Sequence, residues 1–216
     1  KDIFGTFWGL GGAFLVSIMR WSLNWGRIGM HGITAAVFSA LTGFLLWRSL
    51  VRWSPFWFFW TGLTLGIGMW FYAPFRLFPV VILIGVGLRI CSGFPGWRKL
   101  VDCLMSMAFA SIISTVPLIQ YSLRNPGIFF KRTEETFILN HLSDVSSVKA
   151  IWENIVEHLL MFHISGDPNP RHNLPFEPML DDVTGTLFIA GLILILAQWR
   201  RPLFLLFPCW VFVMLA

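Results

Sequence analysis

Long apolar runs, interrupted by one or two charges or by proline and glycine, set the pattern of this chain. A bilayer hydrocarbon core about 30 Å thick takes roughly 20 apolar residues of helix to cross, with about 17 as the practical minimum. Seven stretches reach or approach that length: Ile3–Asn24, His31–Leu50, Pro55–Tyr72, Phe75–Ser92, Leu100–Ser122, Val183–Trp199 and Pro202–Ala216. The breaks between them carry turn and charge signals, among them Arg48, Arg52, Ser54–Pro55, Ala73–Pro74, the Gly93–Gly96 turn and Arg200–Pro202. The pattern predicts an all-α, polytopic transmembrane helix bundle. Its spans fall in residues 1–122 (about five) and 183–216 (about two, the last one truncated), with a polar loop over 123–182 between them.

Within the loop the period changes. Val148, Ile151, Trp152, Ile155, Leu159 and Phe162 recur at helical spacing opposite Lys149, Glu153, Asn154 and Glu157, which predicts an amphipathic helix near 147–163. Ser146 or Ser147 is suited to cap its start. A Trp/Phe/Leu face beside membrane spans fits a helix lying in the interface; packing on other extramembrane surface is the alternative. The following stretch, His163 to Pro175, holds a glycine and three prolines that forbid a continuous helix.

Composition strengthens the membrane reading. Hydrophobic residues make up 56% of the chain, charged residues only 12%, and mean hydropathy is +0.70, against roughly 25% charged in soluble domains. Nine of the eleven acidic residues lie between Glu134 and Asp182, inside the polar loop. The net charge of +5 does not indicate nucleic acid, because the cations stand singly or in pairs at the ends of apolar runs, where membrane-flanking charges belong. Cys91, Cys103 and Cys209 lie in or beside apolar segments without metal-like spacing and read as small buried thiols.

Lys/Arg asymmetry orients the spans. With the start of the first span in the cytoplasm, alternate crossing puts Arg48, Arg52, Arg89, Arg98, Lys99, Arg200 and Arg201 on the cytoplasmic side. The short connections opposite hold only Arg20, Arg27 and Arg76, and the acidic loop falls on their side. The 123–182 loop is then expected on the non-cytoplasmic side.

Arg27 and Arg76 are then the most informative charges, since an arginine at the outer head of a membrane helix opposes the bias. One reading is capture of a phosphate or pyrophosphate by the guanidinium fork; the other is snorkelling to headgroups. Tyr72 stands one helical turn from Arg76. Arg171, His172 and Asn173 are candidates for contact with an anionic or sugar substrate, or for a loop held by side-chain-to-backbone bonds. His163, His172, Asp167, Asp181 and Asp182 show no metal-ligand spacing, and neither a metal nor a cofactor is expected. Asp102 beside Lys99 reads as half of an interfacial ion pair, and Phe56–Trp60 as a lipid-facing aromatic belt. The glycines of Gly62–Gly68 stand at the small-residue spacing of close helix packing.

Two phrases resemble a known family. Asn24–Trp25–Gly26–Arg27–Ile28–Gly29–Met30, and the later stretch from Gly62 through Trp70–Phe71–Tyr72–Ala73–Pro74–Phe75–Arg76 to Pro79, are similar to the membrane core of glycosyltransferase family 39. These are GT-C fold enzymes related to dolichyl-phosphate-mannose protein mannosyltransferases. Asn125–Arg132 and the stretch from Met161 through His172–Asn173–Leu174–Pro175 to Asp181 resemble bacterial members, which implies the cell membrane of a prokaryote as the setting. The resemblance implies a GT-C-like bundle that transfers a sugar from a polyprenyl-phosphate carrier to an acceptor on the non-cytoplasmic face. In that mechanism an acid near the acceptor acts as base and cations stabilise the departing lipid phosphate. Arg76, Arg27 and Tyr72 suit the second role. The family keeps its base in the first outer loop, and here Asp2 is the only acid before Asp102, so no catalytic residue is assigned. The chain is accordingly expected to be a fragment lacking both ends and inactive alone.

Two other classes compete. A transporter or flippase for a lipid-linked or anionic solute would place ionisable groups near the bilayer midplane, commonly in repeated halves. A noncatalytic membrane subunit would use the outer helix to bind a partner.

Overall fold

The computed structural model describes residues 5–29, 32–127, 146–169 and 174–215. Among these the chain is all-helical, with no strand. In chain order the helices are α1 (Thr6–Ile18), α2 (Arg20–Ile28), α3 (Gly32–Arg52), α4 (Pro55–Gly68), α5 (Phe78–Ser92), α6 (Trp97–Arg124), α7 (Ser146–Leu160), α8 (Asp182–Ala197) and α9 (Leu206–Leu215). Short 3₁₀ turns precede α5 (Ala73–Leu77) and α9 (Pro202–Leu205). Three helical stretches are long and apolar enough to cross a membrane: Gly32–Arg52, Ala73–Ser92 and Trp97–Arg124. The chain divides into two compact units, Lys1–Ile33 with Ile138–Ile193, and Thr34–Phe137 with Leu194–Ala216.

The larger unit gathers α3 to α6 and α9. Trp53 ends α3 in the left-handed region (φ 46) and is buried, stacked on Phe58 at 5.7 Å, so α4 starts two residues later and runs back along α3. The two helices meet through hydroxyls: Thr42 donates to Thr64 at 3.2 Å, and Ser49 and Thr61 are hydrogen-bonded at 2.9 Å. Small polar groups of this kind hold helices together where lipid supplies no hydrophobic contrast.

α4 and α6 lie side by side and parallel. The Ser106 hydroxyl donates to the Pro55 carbonyl (2.9 Å), Ser111 to Gly62 (3.1 Å), and the Trp70 indole to Ser114 (2.9 Å), in the same order along both helices. The approach is so close that a Cβ on Gly62 would run into the Met107 carbonyl oxygen, and one on Gly66 into the Ser114 hydroxyl. The glycine spacing expected to mark close packing does so.

α5 runs parallel to α3, with Phe75 against Phe38 at one end and Arg89 donating to the Leu50 carbonyl (3.0 Å) at the other. α9 runs opposite to both: Trp47 meets Phe204 (5.7 Å), while farther along Trp210 meets Phe78 (5.7 Å). Leu46, Leu50, Phe58, Phe75, Phe78 and Val81 form the most enclosed part of the core, each at most 1% exposed. The consequence is that one end of this unit collects Arg48 and Arg52 from α3, Arg89 from α5, Arg98 and Lys99 from α6, and Arg200 and Arg201 ahead of α9. At the opposite end stand Arg76 and Arg124.

In the smaller unit the expected continuous span Ile3–Asn24 is corrected. Met19 takes an extended conformation (ψ 126) and separates α1, of 13 residues, from α2, of 9. The reason lies next to the break: Arg20 donates to the Pro178 carbonyl at 2.9 Å and pairs with Glu177 at 3.8 Å. A straight helix would carry that guanidinium on among apolar side chains, where a charge is costly. Three other expected spans are shorter as helices than as apolar runs: Pro55–Tyr72 is helical to Gly68, Val183–Trp199 gives α8, and Pro202–Ala216 gives a 3₁₀ turn with α9.

The segments 161–169 and 174–180 double back on one another. Met179 and Leu180 amides donate to the Met161 and Phe162 carbonyls (3.0 and 3.1 Å), and the Gly166 amide to Phe176 (3.1 Å). A Cβ on Gly166 would strike the Glu177 carbonyl, which accounts for glycine there. α7 covers Ser146–Leu160, where a helix near 147–163 is expected, and Trp152, Ile155 and Leu159 on it are 65%, 46% and 51% exposed.

Candidate functional site

Arg76 belongs to the larger unit, and its position is set by aromatic and proline residues around it. Tyr72 is extended (φ −149, ψ 130); Pro74 opens the 3₁₀ turn, and Pro79 stands in the first turn of α5, where a missing N–H costs nothing. Phe75 anchors the turn: it is fully buried, stacks on Phe78 at 5.0 Å and meets Phe38 edge-on at 6.4 Å. Phe71, just before, stacks on the same Phe38 at 5.0 Å. Between a buried Phe75 and an exposed Leu77, Arg76 is half-buried. Tyr72 is half-buried at the head of the same turn.

The chain entering this turn borders an open, apolar cavity of about 530 Å³ lined by Leu63, Ile67, Trp70, Phe71 and Ser114. It lies on the α4–α6 seam, where the Trp70 indole N–H is held by the Ser114 carbonyl. The arrangement offers an apolar wall leading, through Trp70 and Phe71, into a turn that carries a guanidinium and a phenol. Such a combination suits an amphiphile with an anionic head.

Arg27 lies in the other unit, exposed in the last turn of α2. Gly29 ends that helix with φ 67, and Trp25 is buried against Trp21 at 4.8 Å. Arg171, His172 and Asn173 lie outside the described residues.

A second cavity, of about 580 Å³, sits at the head of α8 and is lined by His163, Asp182, Gly185, Thr186, Ile189 and Ile193 among others. The His163 ring is hydrogen-bonded to the Gly185 carbonyl at 3.1 Å, and Phe162 stacks on Phe188 at 5.9 Å, which ties the doubled-back segment to α8. The spacing of His163 and Asp182 gave no sign of this meeting, because it depends on the backbone pairing of 161–162 with 179–180. Asp181 caps α8. Its carboxylate accepts from the Val183 and Thr184 amides (3.1 and 3.0 Å) and from the Thr184 hydroxyl (2.7 Å). The bond from the Thr184 amide, then that from its hydroxyl, hold the carboxyl below the usual Asp range. Among the described residues no group of three metal-ligating side chains occurs.

No family model matches this chain, and no curated protein or solved structure does either.

Proposed function

We propose that this chain is part of an integral membrane glycosyltransferase that takes a sugar from a polyprenyl-phosphate carrier on the non-cytoplasmic face, with the Tyr72–Arg76 turn as the seat of the carrier phosphate. The observation that carries the reading is Arg76 itself. It is half-buried and set in a proline-bounded turn, at the end of its unit that holds few cations, and the chain that leads into that turn lines an apolar cavity with Trp70 and Phe71. A guanidinium in that setting matches a phosphate bidentately, while Leu63, Ile67 and Phe71 supply the apolar surface a prenyl chain needs. Transfer leaves negative charge on the departing phosphate, and a fixed arginine is worth most where that charge develops. The motifs around Trp25–Arg27 and Tyr72–Pro79 support the same reading. A transporter would keep its ionisable groups near the midplane, whereas Arg76 stands at a helix head. α7, with Trp152, Ile155 and Leu159 exposed, serves in this reading as an interfacial helix.

The test is binding of a long-chain polyprenyl phosphate to the protein in lipid nanodiscs, read by native mass spectrometry. A charge-assisted hydrogen bond contributes about 1.5–3 kcal/mol, so Arg76→Ala should weaken binding by about tenfold or more, with Arg76→Lys in between. Undiminished binding by a well-inserted Arg76→Ala protein rejects the phosphate role. Arg27→Ala, measured beside it, shows whether the second arginine shares the site.

A further inference from the structure

The cavity at the head of α8 has a donor–acceptor balance opposite to that of the Arg76 turn, and its lining residues all belong to the smaller unit. The Gly185 carbonyl can only accept, so its 3.1 Å contact with His163 puts a proton on Nε2 and leaves Nδ1 of the neutral ring as an acceptor. Glycine permits this approach, since a Cβ on Gly185 would stand 3.0 Å from the ring, and Phe188 lies 6.2 Å from it on the same helix. The Thr186 hydroxyl donates to the Asp182 carbonyl at 2.6 Å, so its oxygen too presents lone pairs. Asp182 adds an exposed carboxylate, and among the described residues no lysine or arginine lines the cavity. The polar mouth therefore carries three side-chain acceptors and one negative charge, with no free side-chain donor. Asp182, Thr186, Ile189 and Ile193 recur at helical spacing, so the mouth continues along α8 into an apolar groove that Ala190 also lines.

We propose that this cavity binds a lipid headed by a primary ammonium group, with the ammonium at Asp182, Thr186 and His163 and a hydrocarbon chain along Ile189, Ala190 and Ile193. An ammonium carries three N–H donors, no acceptor and a positive charge, which is the complement of this mouth. A phosphate would set acceptors against acceptors, and a quaternary ammonium would bring the charge without the donors. The lipid rather than a soluble amine is the occupant, because the groove belongs to an apolar helix on which Leu187, Leu194 and Leu196 are exposed as well. The proposal requires only that α8 lie in a bilayer; it is independent of sugar transfer and of Arg76.

The experiment reconstitutes the protein in nanodiscs containing phosphatidylethanolamine and phosphatidylcholine in equal amounts and reads retained lipids by native mass spectrometry. The two lipids share their phosphate and chains and differ in the N–H donors of the head. The unaltered protein should retain phosphatidylethanolamine in about tenfold preference, the factor that a hydrogen bond between charged groups supplies. Asp182→Asn, which keeps the shape and removes the charge, should bring the preference close to unity, and Thr186→Val should lower it severalfold. Gly87→Ala, in the larger unit, should leave it unchanged. An undiminished preference in Asp182→Asn overturns the proposal, as does displacement of the lipid by millimolar ethanolamine, which would make a soluble amine the occupant. Helix content by circular dichroism accompanies each variant. Ala190→Trp, which fills the groove from an exposed position, keeps the test decisive where Asp182→Asn folds poorly: it should abolish the preference, and a preference that survives it overturns the proposal equally.

Discussion

Asp181 is a residue whose role is wholly local. Its carboxylate takes up the Val183 and Thr184 amides, two of the N–H groups that the first turn of α8 leaves without helical partners. The bond to the charged form depresses its pKa from an ordinary value near 3.8. A depressed carboxyl stabilises the fold fully above the unfolded-state value and loses that contribution as pH falls through the folded one. The first turn of α8 should therefore be insensitive to pH from neutrality down to about pH 5 and should fray below the ordinary Asp range. Amide hydrogen exchange at Val183 and Thr184 checks this: Asp181→Ala should speed exchange at both near neutral pH, and Asp181→Asn should restore most of the protection at all pH values. From sequence Asp181 stood only among acids and histidines without metal-ligand spacing, and its capping role became visible once the helix start was placed. Arg76 was the reverse case: it stood out beforehand, because a cation on the less basic side of a membrane helix calls for a reason, while its half-burial depended on Phe75 packing against Phe38 and Phe78.

At the level of elements, the α4–α6 pair rests on missing side chains. Gly62 and Gly66 let the helices touch backbone to side chain, and the Met107 carbonyl facing Gly62 belongs to a helix that cannot shift alone. Gly62→Leu should destabilise the protein by about 1–3 kcal/mol or more. Gly87→Ala is the matched contrast, for a Cβ there meets nothing within 4 Å. It should be neutral or stabilise by about 0.5–1 kcal/mol through helix propensity. Thermal unfolding in detergent separates the two. The buried Ser49–Thr61 pair on the α3–α4 seam is expected to be modest: a double-mutant cycle with Ser49→Ala and Thr61→Val should return a coupling of about 0.6 kcal/mol. Small-residue spacing was readable in the sequence because it repeats every turn of a helix. The break at Met19 was not, since hydropathy over Ile3–Asn24 averages out a single extended residue, and its cause, Arg20 with Glu177, joins positions far apart in the chain.

On the scale of the larger unit, the succession of apolar runs predicts helices that alternate in direction, with Lys/Arg placement choosing the side, and the packed helices alternate in that way. α3 and α5 are parallel, and α4, α6 and α9 run against them, each direction fixed by contacts that owe nothing to charge: the serine bonds to Pro55 and Gly62, the Trp47–Phe204 and Trp210–Phe78 rings, and Phe38 against Phe75. Two independent kinds of information thus sort the same connections onto two ends. Charge asymmetry acts during insertion, packing acts afterwards, and a bundle in which they disagreed would hold cations in the hydrocarbon or leave its core unpaired. The agreement yields a prediction for the bundle as a whole. With Cys91, Cys103 and Cys209 replaced by serine or alanine, single cysteines at Ser54, Gly96 and Arg201 should react with a membrane-impermeant maleimide from one side of sealed vesicles only, and cysteines at Ala73 and Gly127 from the other side only. Labelling of Ser54→Cys and Ala73→Cys from the same side would mean that α4 does not cross the bilayer. In that event the membrane reading of the larger unit and the carrier-phosphate role of Arg76 would both lose their geometric basis.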